Sequence, residues 1–132
     1  MTPWVSLLKT FVMKKMIFTY CFMLASFIVM SQSVPAKDAL KNEGKTITVC
    51  DKIYGGIFMS RSGSQPTFLN VGAAYPNSPL TILIWGNDRR KFKWKPEEYF
   101  KDKKVCITGV IKKYNGKAEM VVTDPAQIMI AE

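Results

Sequence analysis

Along residues 66–86, PTFLNVGAAYPNSPLTILIWG, the apolar positions fall into two short runs separated by a stretch rich in Pro, Gly and Asn. The first run alternates, with Leu69 and Val71 on one face and Phe68 and Asn70 on the other, the period of two expected of a half-buried strand. The second places Leu80, Ile82 and Ile84 on one face, yet Thr81, Leu83 and Trp85 share the opposite one. A strand whose outer side meets water should not carry Leu and Trp there. That second face is therefore either covered by another part of the chain or is itself a contact surface.

The flanking patterns predict the remaining elements. Upstream, KTITVCDKIYGGIFM reads as a strand, since Ile47, Val49 and the β-branched threonines fit a pleated surface. Gly55-Gly56 lets that strand bend or bulge before Ile57 to Met59. Ser60 to Gln65 is a flexible loop. Downstream, Gly86 and Asn87 stop the third strand, and Pro96 opens a short helix at its first position. Glu97 and Glu98 then lie in the first turn and Lys101 to Lys104 near the end, as the helix dipole favours. Residues 105–123 form a hairpin. Val105, Ile107, Gly109 and Ile111 mark one face, Asn115-Gly116 supplies the positive φ values of a tight turn, and Ala118 to Thr123 return. Asp124-Pro125 ends that strand, and Ile128 and Ile130 tuck back toward the core.

The order β-β-β-α-β-β over residues 45–132 predicts an all-β fold, a small five-stranded β-barrel of the OB type with a short helix between strands 3 and 4. An SH3-like barrel and an open meander are the competing readings, and they account less well for the helical link in that position. Residues 34–44, VPAKDALKNEG, lack an apolar period and read as a linker with one helical turn.

The N-terminal quarter has a different pattern. MIFTYCFMLASFIVM, Met16 to Met30, is uncharged, follows Lys9, Lys14 and Lys15, and precedes the small residues of SQSVPA. A basic start, a short apolar run and small residues near its end describe a secretory signal peptide, so residues 1–33 read as an N-terminal extension and signal. Cleavage is expected between Ser31 and Ala36, and Met13 begins a more ordinary signal start than Met1. A membrane span usually needs about 20 apolar residues, which makes an uncleaved anchor the alternative. Cys21 lies too far inside the apolar run to be a lipidated cysteine. The expectation is export to the periplasm or beyond the cell.

GKTITVC, TFLN…YPN…IWG and the hairpin VCITGVIKKYNGK together resemble a group of bacterial exported OB-fold domains that are nucleic-acid-binding-like. Such domains occur alone or beside nuclease or DNA-uptake modules. The likeness runs from about Gly44 to Ile128. It implies a binding barrel and brings no catalytic motif with it, and a fold by itself does not establish function.

Composition narrows the chemistry. Without its first 36 residues the chain keeps 16 of its 19 Lys and Arg and all 10 acids, a net charge of +6. That excess suits polyanions, although small soluble domains often carry as much. The absence of His removes the commonest general base and metal ligand. No phosphate-binding glycine loop or metal-ligand spacing occurs, and Glu97-Glu98 are accounted for by the helix dipole. No enzyme, cofactor or metal is expected. Cys50 and Cys106 fall on strands 1 and 4, which are neighbours in an OB barrel. If Val49 and Val105 point inward, both thiols point outward on adjacent strands, and an oxidising compartment would allow a bridge. Two buried free thiols are the other reading.

Two surfaces combine cations with aromatics. In RRKFKWKPEEYFKDKK, Phe92 and Trp94 alternate with Lys91, Lys93 and Lys95. This segment either grips nucleic acid or uses Phe92, Trp94, Tyr99 and Phe100 to plug the barrel, and the scarcity of apolar area in so small a domain favours the plug. The OB ligand face, strands 2 and 3 with the adjoining loops, selects Phe68, Asn70, Leu83 and Trp85, flanked by Arg61, Lys112, Lys113, Tyr114 and Lys117. Phe68 and Trp85 would stack on bases, Asn70 would hydrogen-bond, and the cations would neutralise phosphates of a single-stranded nucleic acid or another polyanion. Burial of Leu83 and Trp85 under the Arg89–Lys104 segment or the linker competes with this. So does docking of an envelope protein partner on an apolar outer face.

Overall fold

β1 (Thr46–Phe58) is long enough to serve two pairings in succession. Its first half, Thr46 to Lys52, runs antiparallel to β4 (Lys104–Tyr114). Its second half pairs with β2 (Thr67–Val71), and the register slips between Ile53 and Gly55 at the switch. Gly55 takes φ +141° there, a backbone conformation that side chains strongly disfavour, so the expected bulge falls on the residue able to make it. These features come from a computed structural model that describes residues 32–131. The signal-peptide reading of Met16 to Met30, and the anchor that is its alternative, lie outside the described residues.

β2 pairs antiparallel with β3 (Leu80–Ile84), β3 runs parallel to β5 (Lys117–Val121), and β5 pairs antiparallel with β4. Since β4 also pairs with β1, the ring β1-β2-β3-β5-β4 closes. The chain is an OB-fold, as the strand order predicts. Asn115 and Gly116 take φ of 50° and 77°, the turn anticipated between β4 and β5. The alternation is as read from the sequence. Leu69, Val71, Ile82, Ile84, Val105, Ile107 and Ile111 are all fully buried in one cluster with Val49 and Ile53. The fifth strand is shorter at its end than anticipated, stopping at Val121. A sixth, β6 (Ile128–Ile130), pairs with β4 and buries Ile128, while Met129 and Ile130 stay exposed.

Val49 and Val105 point inward, which places Cys50 opposite Cys106 on the outer face, and the two form a disulfide with Cα atoms 4.1 Å apart. Residues 34–44, read as a linker, dock on the barrel. A 3-10 helix, Ala36–Asn42, buries Ala36 and Ala39, and Val34 bridges to Val49. The Ala36 amide donates to the Asp51 carboxylate at 3.0 Å, which holds the segment down.

Two single-turn helices link β3 to β4, α1 (Gly86–Arg89) and α2 (Pro96–Tyr99). Pro96 opens α2 as its fixed φ predicts. The plug reading holds for Phe100, buried in the core, and for Phe92 and Tyr99, packed against it. Trp94 corrects it, for it stacks on Tyr99 with centroids 5.9 Å apart but remains 61% exposed. At the centre of the link Arg89 makes two hydrogen bonds to Glu97, at 2.5 and 3.0 Å, and a third to the Thr67 hydroxyl at 2.8 Å. Its guanidinium also covers the Phe58 ring at 3.7 Å.

Candidate nucleic-acid interface

The outer face of the sheet is set by register. Ile57, Phe68, Leu83 and Val121 lie abreast across β1, β2, β3 and β5. One step along, Gly55, Asn70, Thr81, Glu119 and Lys112 lie abreast from β1 to β4. Leu83 stands on this outer face yet is only 5% exposed, between Phe68 and Val121 and outside the main core cluster. Its place on the expected ligand face is thereby corrected: the side chain is buried, the outcome of the competing reading, and presents no free area. Phe68 is half-buried beside it and keeps part of its ring accessible.

At the end of the face nearest the β4–β5 turn lies a groove of about 280 Å³. Its floor is Phe68, Thr81 and Glu119, with one wall from Tyr75, Pro76 and Ser78 of the β2–β3 loop and the other from Tyr114, Asn115 and Lys117. Two hydrogen bonds fix the loop wall. The buried Ser78 hydroxyl donates to Asn70 Oδ1 at 3.3 Å, and the Lys117 ammonium donates to the Pro76 carbonyl. Asn70 thus positions the groove through Ser78. Tyr75 and Tyr114, 80% and 63% exposed, both line this groove and offer aromatic surface to a flat ring.

Lys112, Lys113 and Lys117 are all exposed near this groove, and Lys112 lies opposite Glu119 in the ladder. Burial pushes the Glu119 carboxyl above its ordinary range, and the charge of Lys112 opposes that rise only in part. Of the residues selected from the sequence, Phe68, Tyr114 and Lys117 line this groove, Asn70 bonds to Ser78 in it, and Lys112 lies opposite Glu119 at its edge. Trp85 and Arg61 are not among them. Trp85, 41% exposed, lines a separate cleft with Gln65 and Arg90 at the other end of β3, and Arg61 sits exposed in the adjoining β1–β2 loop. Tyr75 was missed by sequence reasoning. Its only signal was an aromatic placed inside the turn-forming stretch AAYPNS, where no core contact is expected. Among the described residues no three His, Cys, Asp or Glu side chains come together as metal ligands.

No family model matches the sequence, and no curated protein matches it either. Among solved structures, the aspartyl tRNA synthetase from Entamoeba histolytica superposes on 79% of this chain with a TM-score of 0.51 at 13% identity. The asparaginyl-tRNA synthetase from Pyrococcus horikoshii covers 78% at a TM-score of 0.49 and 15% identity. The chain spans only 22% and 24% of those two proteins, so the likeness is to one part of each. The first match agrees with the strand order in defining an OB-fold. At such identity it speaks for the fold alone.

Proposed function

We propose that this protein is a non-catalytic binding module for single-stranded nucleic acid, seated in the groove between the β2–β3 loop and the β4–β5 turn. The observation that carries this reading is the pair of exposed rings, Tyr75 and Tyr114, which line one groove with Phe68 and Lys117, while Lys112 and Lys113 are exposed on the adjoining strand. Aromatic platforms stack any base, and cations along the rim follow the backbone. The fold shared with an enzyme named for tRNA is in keeping with such a ligand. Other polyanions would use the same lysines without the rings. Export is part of the proposal, supported by the Cys50–Cys106 disulfide, since such bonds persist mainly in oxidising compartments.

The test is fluorescence anisotropy with labelled oligothymidylate at low salt. Tyr114→Ala is expected to weaken binding about 5- to 150-fold, the equivalent of one lost stacking contact. Neutralising about three phosphates gives a log–log salt slope of about −2. Protonation of Glu119 removes the one carboxylate on the groove floor. Affinity should therefore rise as pH falls through its raised pKa, and Glu119→Gln should abolish that rise. Absence of oligonucleotide binding at low salt would overturn the proposal and leave the protein-docking reading of the outer face.

A further inference from the structure

We infer that the bound strand continues beyond the groove onto the barrel end, where Trp85, Arg90, Lys93 and Trp94 form a second contact surface. This rests on the single-strand reading above. Two clefts meet at the barrel end. One, about 280 Å³, lies between Gln65, Trp85 and Arg90, and the other, about 300 Å³, between Phe58, Arg90, Lys93 and Trp94. They share Gln65, Gly86 and Arg90 and so form one continuous depression. Its order is ring, cations, ring.

Three observations favour a ligand over mere solvation. Both indoles are exposed, Trp85 at 41% and Trp94 at 61%, although a domain of this size has little apolar area to leave unused. Trp94 is held by its stack on Tyr99 at 16°, which leaves its other face open in a fixed orientation. Arg90 and Lys93 have no carboxylate partner among the described residues, whereas Arg89, Lys91 and Lys95 all do. The floor is rigid, because the Arg89–Glu97 pair and Phe58 lie beneath it. Exposed rings separated by unpaired cations match bases separated by phosphates. Indoles with lysines also suit a lipid interface, but a depression running between two rings fits a chain better than a bilayer surface.

β3 joins the two surfaces. Thr81 is in the groove and Trp85 at the barrel end, four residues along one strand and hence about 13 Å apart. The outer position between them is Leu83, which is buried.

The experiment is binding of a labelled 16-nucleotide oligothymidylate to the full-length chain, alongside vesicles containing phosphatidylserine. Trp94→Ala and the charge reversal Arg90→Glu/Lys93→Glu should each weaken oligonucleotide binding at least fivefold, whereas Trp94→Phe should retain most of it. All these side chains are exposed or partly so, and Arg90→Ala/Lys93→Ala reads the same question should the reversal not fold. If Tyr114→Ala weakens binding and none of the barrel-end variants does, this inference fails while the proposed function stands. If no variant at either surface matters, both fail. If the barrel-end variants lose vesicle binding and keep the oligonucleotide, the surface belongs to a membrane and the inference is overturned.

Discussion

Arg89 and Glu97 show how much one pair of side chains can decide. Each retains 14% of its side-chain exposure, and between them they tie α1 to α2 and to Thr67 of β2. Burial alone would raise the Glu97 pKa. The hydrogen bonds from Arg89, a backbone hydrogen bond and the charges of Arg89 and Lys95 outweigh it and hold the carboxyl below its ordinary value near 4.5. A carboxyl with a lower pKa in the folded state contributes stability that is present above its unfolded pKa and lost as pH falls through the folded one. Thermal unfolding should therefore show an acid-side loss beginning near pH 4.5, and Glu97→Gln should flatten it. Arg89→Met leaves a carboxylate half-sequestered without its partner. Breaking a fully buried pair costs roughly 3–5 kcal/mol, and with some solvent still present about 2–4 kcal/mol is expected in denaturant titration. In the sequence Glu97 was legible only as a helix-dipole residue, because its partner is set by the path of the chain between α1 and α2.

Among the elements, β1 bears the greatest geometric demand, since one strand must pair with two neighbours. Gly55 makes the bulge, and Gly56 lies so close to β2 that an added Cβ would press on the Phe68 carbonyl and come within 2.9 Å of Leu69 Cδ2. Gly56→Ala is therefore expected to force β1 and β2 apart at the edge of the groove. Overpacking of this kind costs about 1–3 kcal/mol, and contact with rigid backbone puts this case at the upper end. Gly63→Ala is the control, having nothing within 4 Å, and should leave the urea midpoint nearly unchanged. The bulge was legible from the Gly-Gly pair. The contact with Phe68 was not, because it needs the register of Gly56 opposite Leu69.

On the scale of the whole molecule, the seam between β1 and β4 closes the barrel, and the Cys50–Cys106 bridge lies across it, joining cysteines 56 positions apart in sequence. A loop of that length is costly to close in the unfolded chain, so the cross-link should stabilise the fold by about 2–4 kcal/mol. The double variant Cys50→Ala/Cys106→Ala, or the reduced protein, should melt about 10–20 °C lower by calorimetry. An unchanged melting temperature would show that the seam needs no covalent tie. The groove is assembled at this scale too. Tyr75 comes from the β2–β3 loop and Tyr114 from the end of β4, and they line one groove only once β3 and β5 run side by side.

The sequence by itself determined the five barrel strands, the Gly55 bulge, the Asn115-Gly116 turn, the proline start of α2 and the inward valines that set the two cysteines opposite each other. These follow from alternation, backbone preference and short-range spacing, which act between neighbours in the chain. Only the tertiary structure decided that Leu83 is packed along the outer face, that Trp94 remains outside the plug, and that residues 34–44 lie against the barrel. It also divided the expected ligand face, leaving Tyr114 in a groove with Tyr75 and Trp85 in a separate cleft at the barrel end. Those outcomes depend on loop paths and on the pairing of distant strands, which no local pattern specifies.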